Sequence, residues 1–263
     1  MNNNFKAAYL DFYQSFFNPR LWVYLSWQDV RQRYRRSLIG PFWISISTAI
    51  TVCAMGPLYS NIFNVPASIY FKYFIVGFVL WSFISTFLNE VSLIYIHSSD
   101  VMRDLKIPYL LFPIRCLSKN IIVLFHNLVI VAAIVIIYPP SNIYGAFLAI
   151  PGLIILCLNL MWMGIVLALI CARFRDFHQI ILNILQILFF ITPILWQPSM
   201  LHDYASYLYL NPIYDLLELV RAPLCGDGFN LYIWIIGFVL FFTGSFLTFI
   251  LFSFCRVRIT YWI

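Results

Sequence analysis

The chain of 263 residues is 63% hydrophobic and only 10% charged, with a mean hydropathy of +0.88. Water-soluble domains carry roughly 45–50% apolar and ~25% charged residues, so one core could not hide this surface and an ordinary soluble protein is excluded. The net charge of +6 would suggest nucleic acid in a soluble chain, but here it follows membrane orientation and anionic headgroups, and no nucleic-acid partner is expected.

The first twenty residues hold Lys6, Asp11 and Arg20 and no apolar run ending in small residues, so no cleaved signal peptide is expected. Residues 1–38 alternate apolar and charged groups (Leu21, Trp22, Leu25, then Asp29, Arg33, Arg36) at helical spacing, with Asp29 and Arg33 placed as an i,i+4 pair. That pattern suits an amphipathic helix lying in the cytoplasmic interface.

Six windows then satisfy the ~20-residue apolar length of a membrane helix: 39–63, 73–95, 117–138, 143–172, 180–196 and 231–254. The fourth is long enough to tilt or to bend at Pro151-Gly152, and the fifth is short, ending at Thr192-Pro193 and Gln197-Pro198. All but two of the sixteen Lys and Arg residues fall on one face under this topology, the exceptions being Lys72 and Arg221. The positive-inside rule therefore places both termini in the cytoplasm. Residues 39–263 read as one six-span domain, with no internal repeat and nothing low in complexity.

Two connectors exceed a turn. Residues 97–119 carry Asp100, Arg103, Asp104 and Lys106 ahead of Pro108, the largest polar cytoplasmic feature between spans and a natural docking surface for a soluble partner. Residues 197–230 lie outside and mix Asp203, Asp215, Glu218 and Asp227 with apolar residues at helical spacing, Ile213, Leu216, Leu217 and Val220. Short re-entrant helices are expected here, apolar side to the spans and acids to water.

The chemistry that is missing narrows the function. No Gly is followed by Lys, so there is no P-loop to cradle a nucleotide, and HExxH and GxSxG are also absent. The six cysteines form no CxxC and read as small buried hydrophobes, so neither a metal nor a cofactor is expected in this chain, nor a catalytic site. Polar groups within spans are Glu90, His126, Asn127, Asn159, Asn183 and Gln186. For Glu90, His126 and Asn127 three readings stand: interhelical hydrogen bonds, with the His-Asn pair reaching Glu90 or a neighbouring backbone; contact with substrate; and a proton relay. Belts of Trp and Tyr at both interfaces explain most aromatics. Phe42, Trp43 and Tyr59 on span one and Phe189, Phe190 and Trp196 on span five are left over. They either face lipid or line an internal path, where flat apolar rings would stack on sugars without fixing one orientation.

The segment WQDVRQRYRRSLIGPFW at 27–43 resembles the entry to the first span of polysaccharide-export permeases of the ABC-2 class. The resemblance continues, in order, through LNE at 88–90, His126-Asn127, ARFRDFHQ at 172–179, the stretch 186–196 with its Thr-Pro-Ile, NPIYDLLELVRAP at 211–223 and RITYW at 258–262. That family comprises the membrane subunits of O-antigen, capsule and teichoic-acid exporters of the bacterial inner membrane. The resemblance implies a homodimer with two copies of a separate nucleotide-binding subunit, which holds ATP and Mg, and a lipid-linked glycan as substrate. It also implies a channel between protomers lined by the aromatics of spans one and five, a coupling helix between spans two and three, and periplasmic gate helices carrying Asn211, Tyr214, Asp215, Glu218 and Arg221. O-antigen is the first expectation and capsule or teichoic acid the second. A membrane-embedded glycan-modifying enzyme and a proton-coupled transporter stand as rivals from other classes.

Overall fold

A computed structural model describes residues 2–33, 35, 39–40, 42–105, 107–140 and 143–263; of Asn2, Asn3, Ile143, His202, Asp203 and Ala205 it describes the backbone alone. The described residues are predominantly helical and contain no strand. Two helices come first, α1 (Asn2–Phe16) and α2 (Pro19–Arg33), followed by α3 (Phe42–Ile62) and α4 (Ala67–Ser92). The short α5 (Ile94–His97) and α6 (Ser99–Asp104) lead to α7 (Leu111–Ile137), and α8 (Ile143–Ala146) precedes α9 (Ala149–Arg173). After α10 (Phe177–Ile191) the chain continues as a 3₁₀ stretch, Pro198–Leu210, then α11 (Pro212–Cys225), α12 (Leu231–Cys255) and the terminal turn α13 (Ile259–Trp262).

Among the described residues, five helices are long and apolar enough to cross a membrane: α3, α4, α7, α9 and α12. The sixth expected window is different. Helix α10 has 15 residues, roughly 22 Å at 1.5 Å per residue, short of a ~30 Å hydrocarbon layer. It stops at Ile191 because Pro193 lacks the N–H that would continue the ladder and forces Thr192 out of helical backbone (ψ 131°).

Two other boundaries move for identifiable reasons. Helix α7 begins at Leu111, not at 117, because Arg115 and Lys119, which lower its hydropathy, find carboxylates on α2 and α4. The connector between α4 and α7 is correspondingly shorter than 97–119. Pro151 produces no bend, since it falls in the first turn of α9, where its missing N–H costs nothing; the chain turns earlier, between α8 and α9.

Helix α4 is the centre of the bundle. Most of its apolar length is buried, whereas only 22% of the apolar window is buried in each of α3, α7 and α12, and Phe74, Ile75, Ile84, Phe87 and Val91 are wholly enclosed. Lipid offers little hydrophobic drive between helices, so close approach decides packing. Leu219 of α11 shows this: it lies against Gly152 and Gly237, and a Cβ at either glycine would collide with it. Asn159 adds a polar tie, donating to Gly237 O of α12 (3.1 Å) while accepting from Trp162 Nε1 (3.0 Å).

Candidate functional site

Three features concentrate the polar groups: a pair of clefts beside α4, a buried latch on α11, and a belt of ion pairs where both terminal segments meet.

Ser82, Ser85, Thr86 and Asn89 recur at helical spacing on one stripe of α4. A cleft of about 350 Å³ opens between this stripe and α10, walled by Trp81, Asn89, Gln186, Phe189 and Phe190. A second, of about 430 Å³, opens between the stripe, α3 and α7, with Trp43, Ser47, Thr51, Asn120 and Asn127 in its walls and Arg33 among its lining. Thr86 lines both. The α4 stripe escaped sequence reasoning, although its i, i+3, i+4, i+7 spacing within an apolar run was the available signal.

Of the six aromatics singled out above, Trp43, Phe189 and Phe190 wall these clefts, and Trp43 and Phe190 are more than half exposed. Phe189 packs between Trp81 (5.8 Å) and Phe190 (5.3 Å). Phe42 meets His126 edge-on at 5.6 Å, Tyr59 stacks on Phe63, and Trp196 donates its indole N–H to Phe190 O (3.1 Å); these three do not line either cleft.

The latch closes the break after α10. Extended backbone leaves carbonyls without helical partners, and inside a membrane protein something must supply donors. Tyr70 Oη donates to Leu195 O (2.8 Å), while Tyr73 Oη (2.8 Å) and Arg221 Nη1 (2.5 Å) both donate to Pro193 O. Asn211 caps α11 by accepting from Ile213 N–H (3.1 Å) and donates its amide to Thr192 Oγ1 (2.9 Å). The Arg221 guanidinium is wholly buried, pairs with Glu218 and lies 4.0 Å from the centre of the Tyr73 ring. Gly77 makes room: a Cβ there would stand 3.0 Å from Arg221 Nη1.

Here the expectation of acids facing water fails. Asp215 and Glu218 are both buried, as are Tyr214 and Arg221. Glu218 turns inward because Arg221 neutralises it among donors that the broken backbone requires. Among the described residues neither oxygen of Asp215 has a hydrogen-bond partner. Burial, with a smaller contribution from the Glu218 carboxylate, pushes the Asp215 carboxyl up to about 7.

The belt lies at the opposite end. Asp29 of α2 takes a two-pronged bond from Arg115 of α7, with Nε to Oδ2 at 2.7 Å, and Ser26 donates to Arg115 O (2.9 Å). Arg33 pairs with Glu90 (3.2 Å), so the local Asp29–Arg33 pair does not form: each finds a partner on another helix, where packing has already fixed the geometry. Glu90 also binds Lys119 (2.7 Å) and Asn120 Nδ2 (2.8 Å). Of the two partners expected for His126 and Asn127, Glu90 is not reached among the described residues, because they sit six and seven residues beyond Asn120 on α7, roughly 10 Å along the helix, while the neighbouring backbone is. His126 Nδ1 instead meets Ile122 O (2.7 Å), and Asn127 accepts from Ser45 Oγ (3.3 Å).

Between α4 and α7, helix α6 presents Asp100, Arg103 and Asp104 outward with Val101 and Leu105, while Met102 is buried. Lys106 lies outside the described residues.

Comparison with known proteins adds two findings. Residues 20–225, from α2 through α11, match the model of the ABC-2 type transporter family. The chain is also 23% identical, over 208 residues, to the O-antigen export system permease protein RfbA of Myxococcus xanthus, covering 77% of this chain and 79% of that protein.

Proposed function

The chain belongs to the ABC-2 type transporter family, and from that premise we propose that it is the permease subunit of an ATP-driven exporter of lipid-linked polysaccharide, with O-antigen as the cargo. In this reading it is a six-crossing subunit of the bacterial inner membrane with both termini cytoplasmic, acting as a homodimer. Two copies of a nucleotide-binding subunit bind ATP and Mg and press on α6, where Asp100, Arg103, Asp104 and Lys106 form the docking surface. Helices α1 and α2 lie along the cytoplasmic interface, and residues 192–225 form the gate on the far side.

The observation that carries the reading is the character of the two clefts. Their walls combine flat aromatic faces (Trp43, Trp81, Phe189, Phe190) with hydroxyls and amides of α3, α4 and α7, and among the described residues Arg33 is their sole Lys or Arg. Sugar C–H faces stack on such rings and sugar hydroxyls exchange hydrogen bonds with such side chains. A phosphodiester polymer such as teichoic acid would call for cations along the path, so the described lining favours a neutral glycan. The relative named as an O-antigen export permease supports the same cargo.

The test is reconstitution of the chain with its genetically neighbouring ATPase in proteoliposomes containing lipid-linked O-antigen. ATP should move the glycan to the face where an added glycosidase, confined to one side, can cut it. Thr86→Trp, which fills both clefts at once, should lower that movement at least tenfold without reducing the yield of folded complex. ATP hydrolysis with no movement of glycan, or full movement in the Thr86 variant, would overturn the proposal.

A further inference from the structure

The N-terminal helix α1 carries one buried carboxylate, Asp11, 2% exposed, whose bonds lead to two distant parts of the chain. Oδ1 accepts the N–H of Leu110 (3.0 Å), and Oδ2 accepts the N–H of Tyr109 (3.1 Å) and Arg256 Nε (2.9 Å). The first two are amides that open α7; with Pro108 before them they have no preceding helical turn to bond to. The third is the first residue after α12. Side-chain contacts reinforce the joint: Tyr109 Oη meets Thr260 Oγ1 (3.1 Å), and the Arg256 guanidinium lies 5.3 Å from the Tyr109 ring centre. Arg103, on α6, donates to the main-chain oxygen of Ile263 (2.5 Å).

We infer that Asp11 is a positioning residue for coupling: its carboxylate joins α1, the start of α7 and the segment after α12 into one unit, so that a push on α6 moves α7 and α12 together. The inference rests on the proposed ABC exporter function for the source of the push, while the joint itself stands on the geometry. A single carboxylate suits this role because it accepts three bonds at once and because two of its donors are backbone, so they report the position of the helix axis instead of a flexible side chain. Without Asp11, α6 would keep its bond from Arg103 to Ile263 and the packing of Met102 with Leu110 and Phe112, but Arg256 after α12 would lose its charged tie to the start of α7.

Two measurements test the joint and its use separately. In the purified chain in detergent, hydrogen exchange should quicken in Asp11→Asn at residues 109–112 and at 256–260 together, and Arg256→Gln should loosen the start of α7 although the substitution lies on the far segment. Arg256→Lys, which keeps the charge, should restore most of the protection. In the reconstituted complex, Asp11→Asn should leave assembly and basal ATP hydrolysis within twofold of the parent while cutting glycan moved per ATP at least fivefold. Exchange that changes only in α1 would overturn the joint, whatever the transport result. A coupled exchange change with an unaltered glycan-to-ATP ratio would overturn its role in coupling. A parent complex that moves no glycan while the exchange result holds would count against the exporter reading and leave the joint standing.

Discussion

Arginine–carboxylate pairs hold both ends of this molecule under opposite conditions. At the basic end, Arg33–Glu90 and Arg115–Asp29 join helices whose charged groups are partly exposed, 50% and 19% in the first pair and 30% and 23% in the second. At the other end, Arg221 and Glu218 are 0% and 8% exposed, and the arginine also serves a carbonyl freed by the break after α10. Exposed pairs gain little, ~0–1 kcal/mol, since water competes for both partners. A buried pair is different: it is costly to form, and costlier still to leave half-formed. The same chemistry therefore makes a reversible fastening at one end and an obligatory one at the other.

The sharpest way to break the comparison is to remove one member of the buried pair. Arg221→Met should destabilise the folded chain by about 3–5 kcal/mol, because Glu218 is stranded, and detergent melting should fall by roughly 10 °C. Arg221→Met combined with Glu218→Leu should recover much of that loss, since no uncompensated charge remains; Tyr73 still serves Pro193 O. Equal losses in Arg221→Met and Arg115→Met would erase the contrast between the two ends.

Asp215 gives a second, smaller test of how dry the latch is. Its carboxyl is raised from the usual ~3.9 to about 7 by burial and by Glu218. A carboxyl raised in the folded state contributes stability that is complete below its ordinary value and is lost as pH climbs through the raised one. The protein should thus melt about 3–6 °C lower at pH 8 than at pH 6, and Asp215→Asn, neutral at both, should flatten that slope. An unchanged slope in the Asn variant would place the sensitivity elsewhere and show that water reaches Asp215.

The two ends also differ in how much of them the sequence disclosed. Apolar runs marked α3, α4, α7, α9 and α12 because lipid imposes one length and one composition on anything that crosses it. The apolar spacing of Ile213, Leu216, Leu217 and Val220 marked α11 as a short amphipathic helix, whereas its cap at Asn211 emerged only with the structure. Partners were another matter. Asp29 looked satisfied by Arg33 four residues on, yet its partner is Arg115, 86 positions away; local spacing says which pairs are possible and packing decides which are made. The inward turn of Glu218 and Asp215 was illegible for a related reason: carboxylates on an amphipathic helix point to water by default, and only the unmet carbonyl of Pro193, supplied by a break elsewhere, makes a buried arginine worth neutralising. Asp11 was invisible, since a lone acid on a helix gives no hint that three donors converge on it. The hydroxyls on α4 share one stripe, a signal the sequence carried, but Ser and Thr in an apolar run commonly bond their own helix's carbonyls and so do not by themselves mark a site.

The smallest expected effect is at the belt, and it tests the comparison most directly because salt acts on the two ends unequally. A double-mutant cycle on Asp29→Asn and Arg115→Gln should give a coupling of about 1 kcal/mol or less. Raising salt to ~1 M shortens the screening length to about 3 Å, and the coupling should then shrink toward zero, as ions reach groups that are 30% and 23% exposed. The Arg221–Glu218 cycle run beside it should hardly change, since neither group is open to solvent. Reversing the belt pair, with Asp29→Arg and Arg115→Asp together, should restore the helix contact only in part, because Arg115 binds in a two-pronged geometry that the exchanged side chains cannot reproduce from α2. A belt coupling above 2 kcal/mol that ignores salt would mean that α2 is sealed onto α7 as tightly as α11 onto α4, and the basic end would then move as a rigid block with the bundle.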